Sequence, residues 1–482
     1  DMAVQSYFSS VDFSLGKFAN INATGRVDKS SALFAANNTF FYPSVNATTV
    51  LNNYIDLPSA INLLKLRASY AQVRGSGNFV SNTIGSTPGN SFPIGYGEQY
   101  NSVYGGPSYA NSSVYNVTPG YNNTSEARYT SSLIDGEIKP DNRVSREVGV
   151  EAKLFGNKVN FDMAYFNYID GLQIFSKQIS QASGYSNYTL NATKTQKTGF
   201  EVTVGATPFK SKSGLTWQTM LNWSTFKETF TELPAGVQNL NTFFKVGSRT
   251  DEVYIKKFAR TADGKIINDA GGRPIVMPVA QYAGNSNPDL VWGLNNKLTY
   301  KAFTFNFQID GRLGGVMEDY VRKKTMQGGR HIETTEGALG DARYQDYLGI
   351  KSYIGEGVQV ANGAAIKYDA DGKVTNFSDL TYSQNTTKQF VQDYVSRFYN
   401  SDEGNLMNRT FGMLREVVVG YNFPTKLFKN KVQTFSVSLV GRNLLYFAEK
   451  KDIDLNQYIG DGGSGLQTPS TRRYGLNLNV TF

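Results

Sequence analysis

The stretch from Thr471 to Phe482 limits what this chain can fold into more than any other. Successive side chains of an extended strand point to opposite faces. Tyr474, Leu476, Leu478, Val480 and Phe482 therefore share one face, and Arg473, Gly475, Asn477, Asn479 and Thr481 share the other. A strand with one wholly apolar face, ending on an aromatic, is a pairing hazard unless a partner lies on each edge. Closing a barrel supplies both partners. A soluble sandwich would give the same alternation in one isolated strand, so recurrence decides. Phe303, Phe305, Phe307 and Ile309 alternate with Thr304, Asn306, Gln308 and Asp310; Leu215, Trp217, Thr219, Leu221 and Trp223 alternate with Thr216, Gln218, Met220, Asn222 and Ser224; Phe200, Val202, Val204 and Ala206 alternate with Glu201, Thr203, Gly205 and Thr207. Repeated segments of about ten residues with one apolar and one polar face are the signature of an all-β, antiparallel transmembrane β-barrel.

Composition agrees. The 30 Tyr and 31 Phe of the 482 residues suit aromatic girdles at two membrane interfaces. No window approaches the ~18 consecutive apolar residues of a spanning helix, and a closed barrel is the other way to satisfy every backbone group in lipid. With no cysteine, disulfides, thiolate metal sites and cysteine nucleophiles are excluded. The net charge of +8 comes from scattered Lys and Arg, which argues against nucleic acid and leaves anionic lipid head groups or an anionic solute.

Thirteen strands are expected, over residues 3–15, 18–29, 40–51, 61–74, 143–155, 158–171, 195–208, 214–229, 288–300, 302–313, 409–422, 432–445 and 471–482. Short connections alternate with long ones at 75–142, 172–194, 230–287, 314–408 and 446–470 over most of the chain, as between the periplasmic and extracellular rims of such barrels. If the last strand ends at the periplasm, every long loop lies outside and the first strand runs inward. In a barrel of even strand number the first strand here is then even-numbered, so further strands are expected upstream. Asp1 opens almost at once on a strand pattern with no signal peptide before it, so the numbering is expected to start inside a longer protein. Segment 314–408 is too long for bare coil and should hold short elements of its own or fold over the mouth. Loops of that size on a rigid frame usually carry recognition.

Apparent chemical motifs dissolve on inspection. Gly460 to Gly465 spells G-x-G-x-x-G, but Pro469 and a strand follow where a phosphate-binding helix belongs. Asp369-Ala370-Asp371-Gly372 opens like a calcium loop, yet Leu380 stands at the position of the bidentate glutamate, and a hairpin turn explains it better. His331 is the sole histidine and has no recognisable nucleophile beside it. Asp251 and Glu252 lie adjacent in sequence, and spacing alone cannot show that two acids converge. No catalytic residue, metal site or cofactor is expected. Tyr96, Tyr100, Tyr104, Tyr109 and Tyr115 would suit stacking on sugars, as they would any binding loop.

Several stretches in order resemble one family, the SusC/RagA-like TonB-dependent outer-membrane transporters of Bacteroidetes. They are Gly25-Arg26-Val27-Asp28-Lys29-Ser30-Ser31 with Tyr42-Pro43-Ser44-Val45, Ile61 to Tyr70, Lys197-Thr198-Gly199-Phe200-Glu201, Gly284 to Leu290 with Gly311-Arg312-Leu313-Gly314-Gly315, Gly441 to Leu445, and Arg472 to Phe482. Asp452-Ile453-Asp454 stands where many members show D-P-E. The resemblance implies that residues 1–482 are the C-terminal portion of one outer-membrane barrel domain of about 22 strands with a plugged lumen. The plug, the TonB-binding segment and the early strands would lie upstream. It also implies a SusD-like surface lipoprotein as lid, import of oligosaccharides or oligopeptides driven through TonB, and a closing strand, with Tyr474 and Phe482, that the barrel-assembly machinery recognises. Two other readings compete: an outer-membrane barrel that serves as scaffold or adhesin without transport, and a soluble all-β glycan-processing enzyme, which would need convergent acids and a hydrophobic core.

Overall fold

The computed structural model describes residues 4–75 apart from 31, 32 and 34, residues 115–240 apart from 121, 123 and 130, and residues 243–428, 431–457 apart from 452, and 470–482. Thirteen long strands form an antiparallel series whose sheet order follows chain order. They are β1 (Val4–Leu15), β2 (Ala19–Ser30), β3 (Thr39–Val50), β4 (Ile61–Gly75), β5 (Asp141–Leu154), β6 (Val159–Gln178), β7 (Asn187–Lys210), β8 (Leu215–Glu232), β9 (Leu290–Tyr300), β10 (Phe303–Leu313), β11 (Phe411–Phe423), β12 (Thr434–Ala448) and β13 (Arg473–Thr481). Each falls on one of the thirteen expected segments. The chain divides into two compact units, residues 1–208 with 218–250 and residues 209–217 with 251–482.

Register shows why alternation was a sound guide. In the second unit Leu478, Val437, Tyr421, Phe303 and Tyr300 stand opposite one another across five strands, one residue from the row Asn477, Ser438, Gly420, Thr304 and Thr299. The first row is apolar or aromatic, the second polar or small, so a slip of one residue would turn every strand inside out. The first unit repeats the pattern. Leu66, Val150, Met163 and Val202 form one row, and Lys65, Glu151, Asp162 and Thr203 form the next. At the rim with short connections, tight turns use positive φ at Gly156, Asn157 and Lys301.

The largest departure from expectation lies between β6 and β7. Their ladder runs on to Gln178 and Asn187, so the connection shrinks from 172–194 to 179–186. Register shifts at Asn191/Thr193 and Thr193/Thr195 break the two-residue period there, which is why the sequence pattern stops early. At the ends of the series, β1 pairs only with β2 and β13 only with β12 among the described residues.

In the second unit, segments 251–289 and 314–410 build a separate layer with α1 (Tyr320–Gln327), α2 (Gly337–Tyr347) and α3 (Val391–Tyr399). Segment 314–408 thus carries short elements, as its length required. On α3 the buried residues Val391, Tyr394, Val395 and Tyr399 follow helical spacing and pack on Met326 and Ala342. Asp346 of α2 caps the N-terminus of α3, its two carboxylate oxygens each accepting from a backbone N–H, of Val391 and Gln392, at 3.1 Å. A second core joins Ala259, Ile267, Met277 and Val358, where Ile267–Asn268 pairs in parallel with Val358–Gln359. Met317 and Met407 of the layer pack with Phe411 and Met413 of β11.

Candidate functional site

The polar face of the wall carries its ion pairs, while the apolar face carries the charge of Arg146. In the first unit the Arg67 guanidinium donates to both carboxylate oxygens of Asp162, at 2.8 and 2.7 Å. Lys65 reaches Glu151 at 3.4 Å, Arg143 reaches Asp170 at 2.9 Å, and Lys197 reaches Glu228 at 3.3 Å. In the second unit Arg415 binds Asp310 in the same forked way, at 2.8 and 2.7 Å, and extends to Asn456 at 2.9 Å, while Arg442 meets Glu416 at 2.7 Å. These pairs are mostly a quarter to a half exposed, so a pair as a whole adds little net stability, although removing one partner leaves the hydrogen bonds of the other unmade. What they do is line one face with both signs of charge in fixed positions, a surface that can hydrogen-bond a polar solute.

The family-like motifs have structural reasons. Arg26 holds Asp28 at 2.8 Å, and the Tyr42 hydroxyl donates to the same carboxylate at 2.6 Å, so the two early motifs form one clamp across β2 and β3. At Gly199 a Cβ would stand 2.2 Å from the Thr225 carbonyl oxygen and 2.6 Å from the Phe166 ring, which leaves room for glycine alone. Gly314, at φ +77°, would set a Cβ 2.1 Å from the Asp289 carboxylate, tying Gly311–Gly315 to the turn before β9. Arg415, the bulge residue that answers Asp310, carried no signal in the sequence, because its partner lies 105 positions away.

The loop layer exposes a second surface. Around the C-terminus of α2, Tyr344, Tyr347, Leu348 and Ile350 are all exposed, Tyr347 at 85%. Nearby the layer is tightly held. Arg322 donates to Glu333 at 2.7 Å, and this hydrogen bond raises the guanidinium pKa beyond its ordinary value. Asp319, almost fully buried, caps α1 by accepting from Arg322 N–H at 2.9 Å, with Lys450 Nζ 3.7 Å away.

The residues singled out in the sequence separate. Tyr474 and Phe482 lie on or just beyond β13 on its apolar side, both exposed. His331 caps the turn Ile332–Thr335, its Nδ1 accepting from Glu333 N–H at 3.3 Å. Asp369 closes a hairpin by accepting from Lys373 N–H at 2.8 Å, in place of a cation loop. Asp251 accepts from Asn287 N–H at 3.3 Å, whereas Glu252 accepts from the Tyr254 hydroxyl at 2.8 Å. Among the described residues no cluster of three or more His, Asp or Glu could hold a metal ion. Gly460 to Gly465, Asp452 and Tyr96 to Tyr109 lie outside the described residues; Tyr115 opens a short hairpin with Ser125–Tyr129.

Long antiparallel strands with one lipid-compatible face, one charged face, short turns at one rim and structured loops at the other define an outer-membrane β-barrel. Among the described residues no helix is long and apolar enough to cross a membrane. Compared with known proteins, the chain matches no family model. It is 22% identical over 526 residues to TonB-dependent receptor P26 of Formosa agariphila, which covers 99% of this chain and 46% of that protein. It is 28% identical over 176 residues to TonB-dependent receptor P39 of the same organism, covering 36% of this chain and 14% of that one. It superposes on the RagAB peptide importer in its closed-closed state with a TM-score of 0.66 at 17% identity, covering 99% of this chain and 47% of that one. The fold is thus that of the TonB-dependent outer-membrane barrels, and the SusC/RagA-like resemblance of the motifs is borne out. The chain spans less than half the length of these relatives.

Proposed function

We propose that the chain is the C-terminal portion of a TonB-dependent transporter barrel that imports a bulky solute, an oligosaccharide or oligopeptide, under a SusD-like lipoprotein lid. On this reading residues 1–482 belong to a single barrel domain, and further strands and a plug upstream complete it. TonB acts through that plug. The observation that carries the lid is the exposed cluster Tyr344, Tyr347, Leu348 and Ile350 on a layer that otherwise buries its apolar side chains in compact cores. The mixed-sign polar face supports either solute class. Cells lacking the gene should lose uptake of labelled oligopeptides or of labelled oligosaccharides, the loss reproduced by collapsing the proton gradient. Wild-type protein should restore uptake and Tyr347→Asp should restore it poorly. Unchanged uptake of both classes at normal surface levels would leave the scaffold or adhesin reading in place.

The same reading assigns Tyr474 and Phe482 to recognition by the barrel-assembly machinery. Both are exposed on the apolar side of a strand that, among the described residues, pairs on one edge. Truncation before Phe482 should lower surface levels while leaving the melting temperature of the protein that does insert unchanged. Normal surface levels of the truncated chain would count against it.

A further inference from the structure

On the apolar face of the first unit, two neighbouring rows differ in kind. Val45, Tyr70, Arg146, Asn167 and Thr198 stand opposite one another across β3 to β7, and the next row is Ala47, Ala68, Val148, Tyr165 and Phe200. The two alanines leave a trough of about 590 Å³ between Tyr70, Val148 and Tyr165, with Arg146 along one end. Val45, Ala47, Ala68 and Val148 make much of its lining apolar, with Ser69, Glu147 and Asn167 also contributing to it. Tyr165 is fixed against Phe200, ring centroids 5.1 Å apart.

Arg146 is out of place on such a face. A cation costs about 2–4 kcal/mol at the bilayer midplane and little near the interfaces. It is exposed, and on its own face no acid stands in its row or in the rows two residues to either side, although Glu147 in the adjoining row contributes to the lining of the trough. The nearest acid in sequence, Glu147, points to the other face, where it meets Arg67 at 3.8 Å. Asn167, whose buried Oδ1 has no hydrogen-bond partner among the described residues, lines the same trough. Height explains the placement. From Leu154, at the rim with short turns, to Arg146 is about 20 Å along the membrane normal, at ~3.3 Å per residue and a strand tilt of ~40°. That sets the guanidinium near the outer edge of an apolar band ~25 Å tall.

We propose that this trough is a site for a phosphorylated acyl lipid of the outer leaflet, an acyl chain lying over Ala47 and Ala68 and a head-group phosphate paired with Arg146. The site rests on the wall being a membrane barrel with its long loops outward. A guanidinium fits a phosphate by charge and by forked hydrogen bonding. The alanines matter because a larger side chain there would fill the space the chain occupies.

The test uses the complete protein purified from outer membranes, with barrel integrity read from heat-dependent migration on gels, so that a failed barrel is distinguished from a failed site. Native mass spectrometry after exchange with lipid A and with its fully dephosphorylated form reads the bound lipid. The unaltered protein should retain the phosphorylated lipid more tightly, by roughly fivefold, the value of one cation near an anionic surface. Arg146→Gln should erase that preference, Arg146→Lys should keep it, and Ala68→Phe should lower retention of both lipids. Equal retention of the two lipids by the unaltered protein overturns the proposal without recourse to any variant, as does a preference that survives in Arg146→Gln.

Discussion

In the wall the large apolar side chains are the exposed ones, Leu439 at 63% and Leu478 at 58%, while in the loop layer of the same unit Met326, Tyr394 and Val395 are buried. The charged pairs differ as well. The forked pair of Arg415 and Asp310 stands on the wall's polar face with both side chains about a quarter exposed, whereas in the layer the exposed Glu333 holds an Arg322 that is itself mostly covered. One chain therefore obeys two solvents. Where lipid is the medium, apolar groups gain nothing by being hidden and backbone pairing holds the structure; where water is the medium, burial of apolar surface does.

The sharpest break of that contrast is to truncate a core residue in the layer. Tyr394 packs between Tyr353 and Phe398, at centroid distances of 4.8 and 5.7 Å. Tyr394→Ala should cost the layer about 3–5 kcal/mol. Limited proteolysis should open 314–410 while the wall keeps its heat-dependent gel migration. Collapse of both together would show that the layer is not a separately stabilised region.

A charge on the lipid side tests the other half. Leu478→Arg should cost about 2–4 kcal/mol if it lies near the bilayer midplane, and Asn477→Arg, one residue along and on the opposite face, should cost far less. Reversible unfolding from lipid vesicles measures both. Equal tolerance would count strongly against a membrane wall.

The wall was legible in the sequence because its information is local: Leu476, Leu478 and Val480 announce a face within five residues. Its reading fell furthest short at 172–178 and 187–194, where bulges between Asn191 and Thr195 disrupt the period. The loop layer was legible only as a length that demanded structure. Ile267 pairs with Val358, and the helices that supply its core are short, with Gly337 opening α2 and no strong repeat on α1. The ion pairs on the polar face were hidden for the same reason: each joins residues on different strands, and nothing in Arg67 itself points to Asp162.

A smaller effect is expected from Asp310→Asn, which leaves Arg415 without its forked partner on a face that is about a quarter exposed. Hydrogen bonds to charged groups contribute about 1.5–3 kcal/mol each, and Asn456 keeps part of the guanidinium satisfied, so a loss near the lower end is expected. The loss should shrink at high salt if the polar face is wet. A salt-independent loss would place the pair in a dry interior and make this part of the wall resemble the cores of the loop layer.

The smallest effect is a proton in the layer. Burial, and then the hydrogen bond to Glu252, push the Tyr254 hydroxyl up to about 12 from its ordinary value near 10. The folded layer thus holds this proton more tightly than the unfolded chain does. Tyr254's contribution is fully present below pH ~10 and is lost as pH rises from there through about 12. Nothing should change between pH 6 and 9. Tyr254→Phe removes the 2.8 Å bond to Glu252 but keeps the ring against Tyr282, 6.0 Å away, so it should cost about 0.5–1.5 kcal/mol at neutral pH. It should also flatten the alkaline part of the layer's stability profile. Proteolysis of 251–289 as a function of pH measures both, and an alkaline profile identical in the two proteins would mean that Tyr254 meets solvent like the aromatic residues of the wall rather than the buried ones of the layer.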